Sequence, residues 1–190
     1  SDTRRIAHGS GEILDGCQVF ASLPQAIASS SFVVGTTHRR GRDREITTPA
    51  DTLIEQIVNT AQTQRVSVVF GREKDGLWQD ELQYCHELLR FPTAIDYPSL
   101  NLSHAVLLTT YHIYAASLQP LPEPKPLRMT AAEREHLGHH LLTALDAIDF
   151  EHYNGQPEHF LRILRRVLSR AELTARDAMV LHKICGQIEK

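Results

Sequence analysis

The residues best suited to chemistry in this 190-residue chain sit in two stretches. The first, Val68-Val69-Phe70-Gly71-Arg72-Glu73-Lys74-Asp75-Gly76-Leu77, is an apolar strand pattern that runs into a charged loop bracketed by glycines. The second, Tyr97-Pro98-Ser99-Leu100-Asn101-Leu102-Ser103-His104-Ala105-Val106, passes from a proline-punctuated loop into a helical pattern. Each reads as strand, loop and helix, so both loops open at one sheet edge, where open α/β sheets bind ligands. Glycine at positions 71 and 76 lets backbone N–H and C=O groups approach a ligand closely. A lone Gly-x-Glu is ordinarily a plain strand-to-helix turn. Here the Gly35-Thr36-Thr37 turn and the Phe91-Pro92-Thr93 segment repeat the arrangement, so several loops are expected to converge on one pocket.

Other nucleotide and hydrolase signatures do not fit. Gly9-Ser10-Gly11 lacks the third glycine and the preceding strand of a dinucleotide fingerprint, and no Gly-Lys-Ser/Thr phosphate loop occurs. No G-x-S-x-G elbow makes Ser99 a hydrolase nucleophile. His136, His139 and His140 have the i, i+3, i+4 spacing that lets imidazoles share a metal on one helix face. Leu137 and Gly138 stand between them where an H-E-x-x-H site carries its glutamate, so no metal is expected. His86, His104 and His112 read as packing or surface histidines.

Positioning these loops takes alternating strands and crossover helices. From Cys17 to about Gln119 short apolar runs alternate with helical periods, the pattern of a parallel α/β sheet. Residues 17–20 and 32–35 are expected strands on either side of a short helix capped by Ser22 with Pro24 in its first turn. Thr48 and Pro49 mark the start of the next helix, whose Leu53, Ile54, Ile57, Val58 and Ala61 form one apolar face. Residues 65–70 are so apolar that they are expected at the sheet centre, covered on both faces. Residues 80–88 read as a short helix, 89–91 as a brief strand and 102–118 as a longer helix. Pro120, Pro122, Pro124 and Pro126 then break the helical pattern and form an extended connector. The expected division is a sheet domain over 1–119, a linker over 120–127 and a helical extension over 128–190. Its helices are read at 130–148, with Glu133 three residues after the Thr130 cap, at 157–170 and at 174–188. Too short to stand alone, the extension is expected to pack on the sheet domain or on a second subunit.

Composition bounds the partners. Twenty Lys and Arg against 23 Asp and Glu leave a net charge of −3, so any nucleic-acid contact must come from a local patch. The loop His38-Arg39-Arg40-Gly41-Arg42-Asp43-Arg44 and the helical stripe Arg162, Arg165, Arg166, Arg170 are the candidates, although such clusters are more often solvated faces. Cys17, Cys85 and Cys185 lie far apart with no C-x-x-C spacing, which argues against a zinc ribbon or a disulfide framework and fits a reducing compartment. No apolar run reaches the roughly 18 residues that cross a bilayer. The polar start Ser1-Asp2-Thr3-Arg4-Arg5 lacks the apolar core of a secretion signal. A cytoplasmic protein without a membrane or DNA partner is expected.

Taken together, the two loop stretches resemble the second and third signature motifs of the SpoU/TrmH branch of the SPOUT (α/β-knot) RNA 2′-O-methyltransferases. Leu14-Asp15-Gly16-Cys17-Gln18-Val19-Phe20 with Leu23 and Ala26, the turn Val33-Val34-Gly35-Thr36-Thr37-His38-Arg39, and the tail Leu164-Arg165-Arg166-Val167-Leu168-Ser169-Arg170-Ala171-Glu172-Leu173 look like the TrmJ-type tRNA methyltransferases in particular. The resemblance covers nearly the whole chain. It implies a parallel sheet with crossover helices in which residues 66–118 form a C-terminal trefoil knot, a topology that periodicity does not reveal. It implies S-adenosylmethionine as cofactor, held among Gly35, Thr36, Gly71, Arg72, Glu73, Phe91, Ser99 and Leu100. The implied activity is ribose 2′-O-methylation of RNA, of the tRNA anticodon-loop, position-32 type, by a homodimer whose RNA cleft is shared. Glu73, Ser99 and Asn101 are then the catalytic candidates, Glu73 organising the loop and the other two positioning cofactor and ribose. Arg39, Arg40 and Arg42 are the expected phosphate contacts. The family's first motif, an Asn and a catalytic Arg on the opening strand and helix, would precede Arg5 and has no counterpart in this chain, which implies a truncated enzyme. Two rival readings stay open: a non-catalytic RNA-binding or assembly module of the same fold, and a small-molecule-binding α/β domain that takes no RNA.

Overall fold

The short helices α1 (Gly11–Asp15) and α2 (Leu23–Ile27) lead into β1 (Phe32–Thr36), a strand buried along nearly its whole length. In the computed structural model, which describes residues 9–39, 48–93, 99–124, 126–151 and 156–190, β1 is the centre of the sheet. After β1 come α3 (Ala50–Ala61), β2 (Val66–Val69), α4 (Gln79–Leu82) and β3 (Glu87–Leu89). β2 and β3 both pair with β1 in parallel, giving the order β2-β1-β3. Phe32 lies opposite Val66 and Gly35 opposite Val69, while Val34 faces Glu87 and Thr36 faces Leu89. Helix α3 carries the chain from β1 to β2, as parallel neighbours require. The chain then returns past β1 to reach β3, so the strand order reverses at β1. Loops leaving the carboxyl ends of these strands diverge at such a reversal and leave a crevice between them.

Side chains alternate across a strand, and β1 uses both faces. Phe32 and Val34 pack with Leu53, Ile54 and Ile57 of α3, with Leu89, and with Ile113 and Ala116 of α5 (Leu102–Ser117). On the opposite face Leu77, Leu82 and Leu88 form a second cluster with Val69 and Cys85. Burial of each large aliphatic side chain in these clusters stabilises the sheet by roughly 1.5–3 kcal/mol.

Beyond the prolines lie α6 (Ala131–Asp146), α7 (Pro157–Arg170) and α8 (Ala175–Ile188). Thr130 and Glu133 close a reciprocal capping box on α6, and Thr174 with Asp177 does the same on α8. These helices share a core of Met129, Leu137, Leu168 and Ala178. They dock where the chain enters β1: Ala131 N–H donates to the Ser30 carbonyl at 2.8 Å, and Ala132 N–H to that of Ala28 at 3.0 Å. The Arg134 guanidinium donates to the Met129 carbonyl at 2.7 Å and to that of Ser31 at 3.4 Å. Burial, followed by the neighbouring Arg128 charge, lowers the Arg134 pKa to about 10. The helices therefore seat at the amino end of β1, opposite the crevice.

Four expectations are corrected. Residues 17–20 are irregular rather than a strand, with Val19 99% exposed; an apolar run becomes a strand only beside a neighbour, and among the described residues none pairs with it. Residues 65–70 contribute an edge strand, half-buried, not the central one. Their apolarity reflects Val66 and Val68 packing on one cluster and Val69 on the other, while the equally apolar β1 takes the middle. The strand expected at 89–91 starts earlier, at Glu87, because the His86 N–H already bonds the Val33 carbonyl at 2.8 Å and draws the chain alongside β1. The helix expected at 80–88 is correspondingly short.

Candidate active site

The crevice at the carboxyl ends of the strands is an open cleft, about 780 Å³ when the space at its mouth is counted. Four chain segments wall it. Thr36, Thr37, His38 and Arg39 come from the end of β1, residues 70–74 with Gly76 and Leu77 from the loop after β2, Leu89, Phe91 and Thr93 from the end of β3, and Ser99, Leu100 and Leu102 from the entry to α5. Ala105 and Thr109 of α5 complete the floor.

Local hydrogen bonds fix each wall. The Thr36 hydroxyl donates to the Val69 carbonyl at 3.1 Å, tying the end of β1 to β2. Thr37 N–H donates to the Leu89 carbonyl at 3.1 Å, and Arg39 N–H to the Thr37 hydroxyl at 3.2 Å. The loop after β2 folds on itself: Gly76 N–H donates to the Arg72 carbonyl at 2.8 Å and Arg72 N–H to the Gly76 carbonyl at 3.2 Å. A Cβ on Gly71 would lie 2.1 Å from the Gly76 carbonyl carbon, and Gly76 itself has φ +67°. Both glycines are therefore required by the loop's own closure, a reason distinct from ligand approach.

A guanidinium–carboxylate pair clamps the outside of this loop. Arg72 donates to both Glu81 carboxylate oxygens, at 3.0 and 3.1 Å, and its guanidinium lies 3.9 Å from the centre of the Trp78 ring. Partial burial raises the Glu81 pKa, but hydrogen bonds from Arg72 and from the Trp78 N–H outweigh it, and the net shift is downward. The Arg72 pKa moves up, chiefly through its hydrogen bond to Glu81. Beneath the β1 turn the Cys85 thiol is pushed up to about 12 by burial and then by Glu81, which leaves it protonated and unreactive.

Of the residues singled out by sequence, Thr36, Gly71, Arg72, Glu73, Phe91, Ser99 and Leu100 meet in this one cleft, with Arg39 at its wall. Two do not join the lining. Gly35 lies within β1 and faces the cluster packed on the sheet, where an added Cβ would come within 2.8 Å of the Cys85 sulfur and 3.0 Å of Leu88. The Asn101 side-chain oxygen accepts from the Ser103 N–H at 3.0 Å and the Ser103 hydroxyl at 2.9 Å, capping α5. Arg40 and Arg42, and the Tyr97-Pro98 part of the second motif, lie outside the described residues. In the helical stripe, Arg165 is engaged by Glu135, while Arg162, Arg166 and Arg170 line a separate groove facing β3. His136 and His140 pack against His182, with His140 and His182 Nδ1 atoms 2.6 Å apart; among the described residues no cluster has the makings of a metal site.

Sequence reasoning did not single out Thr37, Lys74, Leu102, Ala105 or Thr109 as lining residues. The last two share the α5 face with Leu102, so the helical period carried that signal. It also missed the Arg72–Glu81–Trp78 arrangement, whose one local sign is a glutamate three residues after the helix-opening position.

A family model described as "SpoU rRNA Methylase family" matches residues 1–111. The chain belongs to that family. Across its length it is 37% identical to an uncharacterized tRNA/rRNA methyltransferase LasT of Serratia marcescens, covering 98% of this chain and 92% of that one. A tRNA (cytidine/uridine-2′-O-)-methyltransferase TrmJ of Photorhabdus laumondii is 32% identical, with 97% and 78% covered. Among solved structures, TrmJ from Z. mobilis ZM4 superposes with a TM-score of 0.78 at 26% identity, over 98% of this chain and 80% of that one. The likeness therefore extends through the helices beyond the prolines as well as the sheet. No helix of the described residues is long and apolar enough to cross a membrane.

Proposed function

We propose that this SpoU-family chain is an S-adenosylmethionine-dependent RNA ribose 2′-O-methyltransferase, acting on the tRNA anticodon loop in the manner of position-32 enzymes. The convergence of both motif loops, with the ends of β1 and β3, on one cleft at the strand-order reversal carries this reading. The names of the TrmJ and LasT relatives support the RNA substrate class.

The lining fits the cofactor's chemistry. Leu89, Phe91, Leu100 and Leu102 offer apolar surface for an adenine, and Thr36, Thr37 and Ser99 offer hydroxyls for a ribose. S-adenosylmethionine, when bound, supplies the methyl group. The chain's own task is to exclude water and hold the acceptor ribose in line, a positioning that can lower the barrier of such a transfer by roughly 7–11 kcal/mol. Glu73 organises the charged loop, Ser99 positions the reactants, and Asn101 does so indirectly by fixing the start of α5. Arg39, with Arg40 and Arg42, meets phosphate. In this reading the sheet part, over residues 1–119, carries the family's trefoil knot, the prolines of 120–127 link it to the helical extension of 128–190, and the protein works in the cytoplasm. The chain pairs as a homodimer through α5, where Leu107, Tyr111 and Tyr114, continued by Leu118 just past the helix end, form one exposed apolar stripe.

Calorimetry with S-adenosylhomocysteine is the test, combined with hydrogen exchange to locate the ligand. One site per chain, with protection after Thr36, Phe70 and Leu89, is expected. Absence of binding, or protection confined to α6–α8, overturns the cofactor assignment. Saturable tRNA binding without methyl transfer would select the alternative of a non-catalytic RNA-binding module.

A further inference from the structure

Trp78 opens α4, a position where helices ordinarily carry serine, threonine, aspartate or asparagine. Its indole has an N–H to donate and no acceptor to offer, so the side chain cannot cap the helix. The turn is closed by Glu81 instead, whose carboxylate accepts the Trp78 backbone N–H at 2.7 Å. Nor is the ring there to fill a core, since Trp78 is 50% exposed. It is nonetheless held in place. The Arg72 guanidinium covers one face at 3.9 Å, and Arg72 is fixed in turn by both oxygens of Glu81. Arg72 also lines the cleft, and Leu77, which precedes Trp78, is buried in the cleft wall. The indole is thus a fixed plate beside the cleft, backed by Arg72 and half exposed to solvent.

We infer that Trp78 is a stacking platform for an unpaired nucleobase of the RNA, next to the nucleotide whose ribose enters the cleft. The inference rests on the RNA-methylating reading and assigns it a contact outside the cofactor pocket. Single-stranded RNA is commonly taken by stacking its bases on exposed aromatic rings, and every base offers a face for this. A ring already pinned by Arg72 loses little freedom when a base settles on it. Lys74, at the tip of the same loop, brings positive charge towards the adjoining phosphate.

Trp78 is the only tryptophan in the chain, so its emission reports this one position. Titration of the full chain with unfractionated tRNA should quench that emission along the same isotherm as binding followed by gel shift. Trp78→Ala should weaken tRNA binding roughly 5- to 150-fold, the range expected from loss of one stacked base. Trp78→Phe should recover a large part, and circular dichroism should show both variants folded. Binding of tRNA with unchanged emission, and equal affinity in Trp78→Ala, would overturn the stacking role while leaving the RNA reading intact. Absence of tRNA binding by the unaltered chain would overturn both. A Trp78→Ala chain that binds tRNA normally but sediments as a smaller species would assign the ring to subunit contact, also against the proposal.

Discussion

Replacement of Gly71 by alanine tests whether the loop after β2 is the rigid wall of the cleft. The added Cβ would stand 2.1 Å from the Gly76 carbonyl carbon and 2.2 Å from the Leu77 nitrogen, both backbone atoms that no rotamer change can move. Reaching ordinary contact at 3.4 Å requires the Gly76–Leu77 backbone to retreat by more than an ångström. Arg72 is anchored to Glu81 outside the loop, so the movement must be taken up between Glu73 and Leu77. That breaks the paired Arg72–Gly76 backbone hydrogen bonds. At about 0.5–1.5 kcal/mol each, their loss costs roughly 1–3 kcal/mol, and for a chain of this size each kcal/mol lowers the melting temperature by about 2–4 °C. Gly186→Ala is the matching control. Its Cβ would meet nothing within 4 Å, and replacing this last-turn glycine of α8 should stabilise by at most roughly 0.5–1 kcal/mol, the gain at a helix centre. Urea unfolding of the two variants should therefore shift in opposite directions, and only Gly71→Ala should lose affinity for S-adenosylhomocysteine in calorimetry. A Gly71→Ala chain with wild-type midpoint and affinity would show that the loop yields without cost and is no fixed wall.

Three further outcomes are expected. Burial, then the Arg134 and Arg128 charges, holds the His86 pKa well below its ordinary value of 6.5, while its Nδ1 accepts the Val33 N–H at 2.9 Å. The unfolded chain then binds the extra proton first as pH falls below about 6.5, so His86 contributes stability that is present above that pH and declines below it by up to about 1.4 kcal/mol per pH unit. His86→Gln should flatten urea-midpoint profiles between about pH 6.5 and 5, leaving a smaller slope from His182, whose pKa is lowered by burial and by His140 and His136; an unaltered profile refutes the assignment. Arg39→Ala should reduce the log–log salt dependence of tRNA binding by roughly 0.7–0.9 with cofactor affinity kept, and an unchanged slope would leave Arg39 a solvated side chain. Asn101→Ala should cost about 1 kcal/mol through the lost α5 cap, whereas Ser99→Ala should spare stability and depress methyl transfer on tRNA; equal turnover by Ser99→Ala and the unaltered chain would remove Ser99 from the site.

The three helices beyond the prolines were legible because their signals are local. The Thr130–Glu133 box, Pro157 at a first turn and Thr174 before α8 each act within four residues, and each marks an observed helix. The convergence of the loops was legible for a related reason, since glycine, proline and short polar residues punctuate the ends of β1, β2 and β3. What periodicity does not encode is which neighbour a strand finds. Phe32-Val33-Val34 and Val66-Ser67-Val68-Val69 differ little in apolarity, yet one is central and the other an edge, because the return past β1 to β3 is a long-range choice.

The site shows the same division between local and distant causes. Gly71 was singled out for close approach to a ligand, but the atoms that forbid a side chain there belong to Gly76 and Leu77, so the loop needs glycine before any ligand arrives. Asn101, drawn by its place in the motif, is held by Ser103 two residues away, a relation that sequence spacing alone cannot separate from ligand contact. Arg72, Trp78 and Glu81 are separated by six and three residues, spacings that no single helix or strand period would bring to one point. They meet because the Gly71–Gly76 closure turns the chain back on itself just before α4 begins. The rigidity of the charged loop and the presentation of the indole therefore have one cause, and a change that opens the loop must release the ring as well.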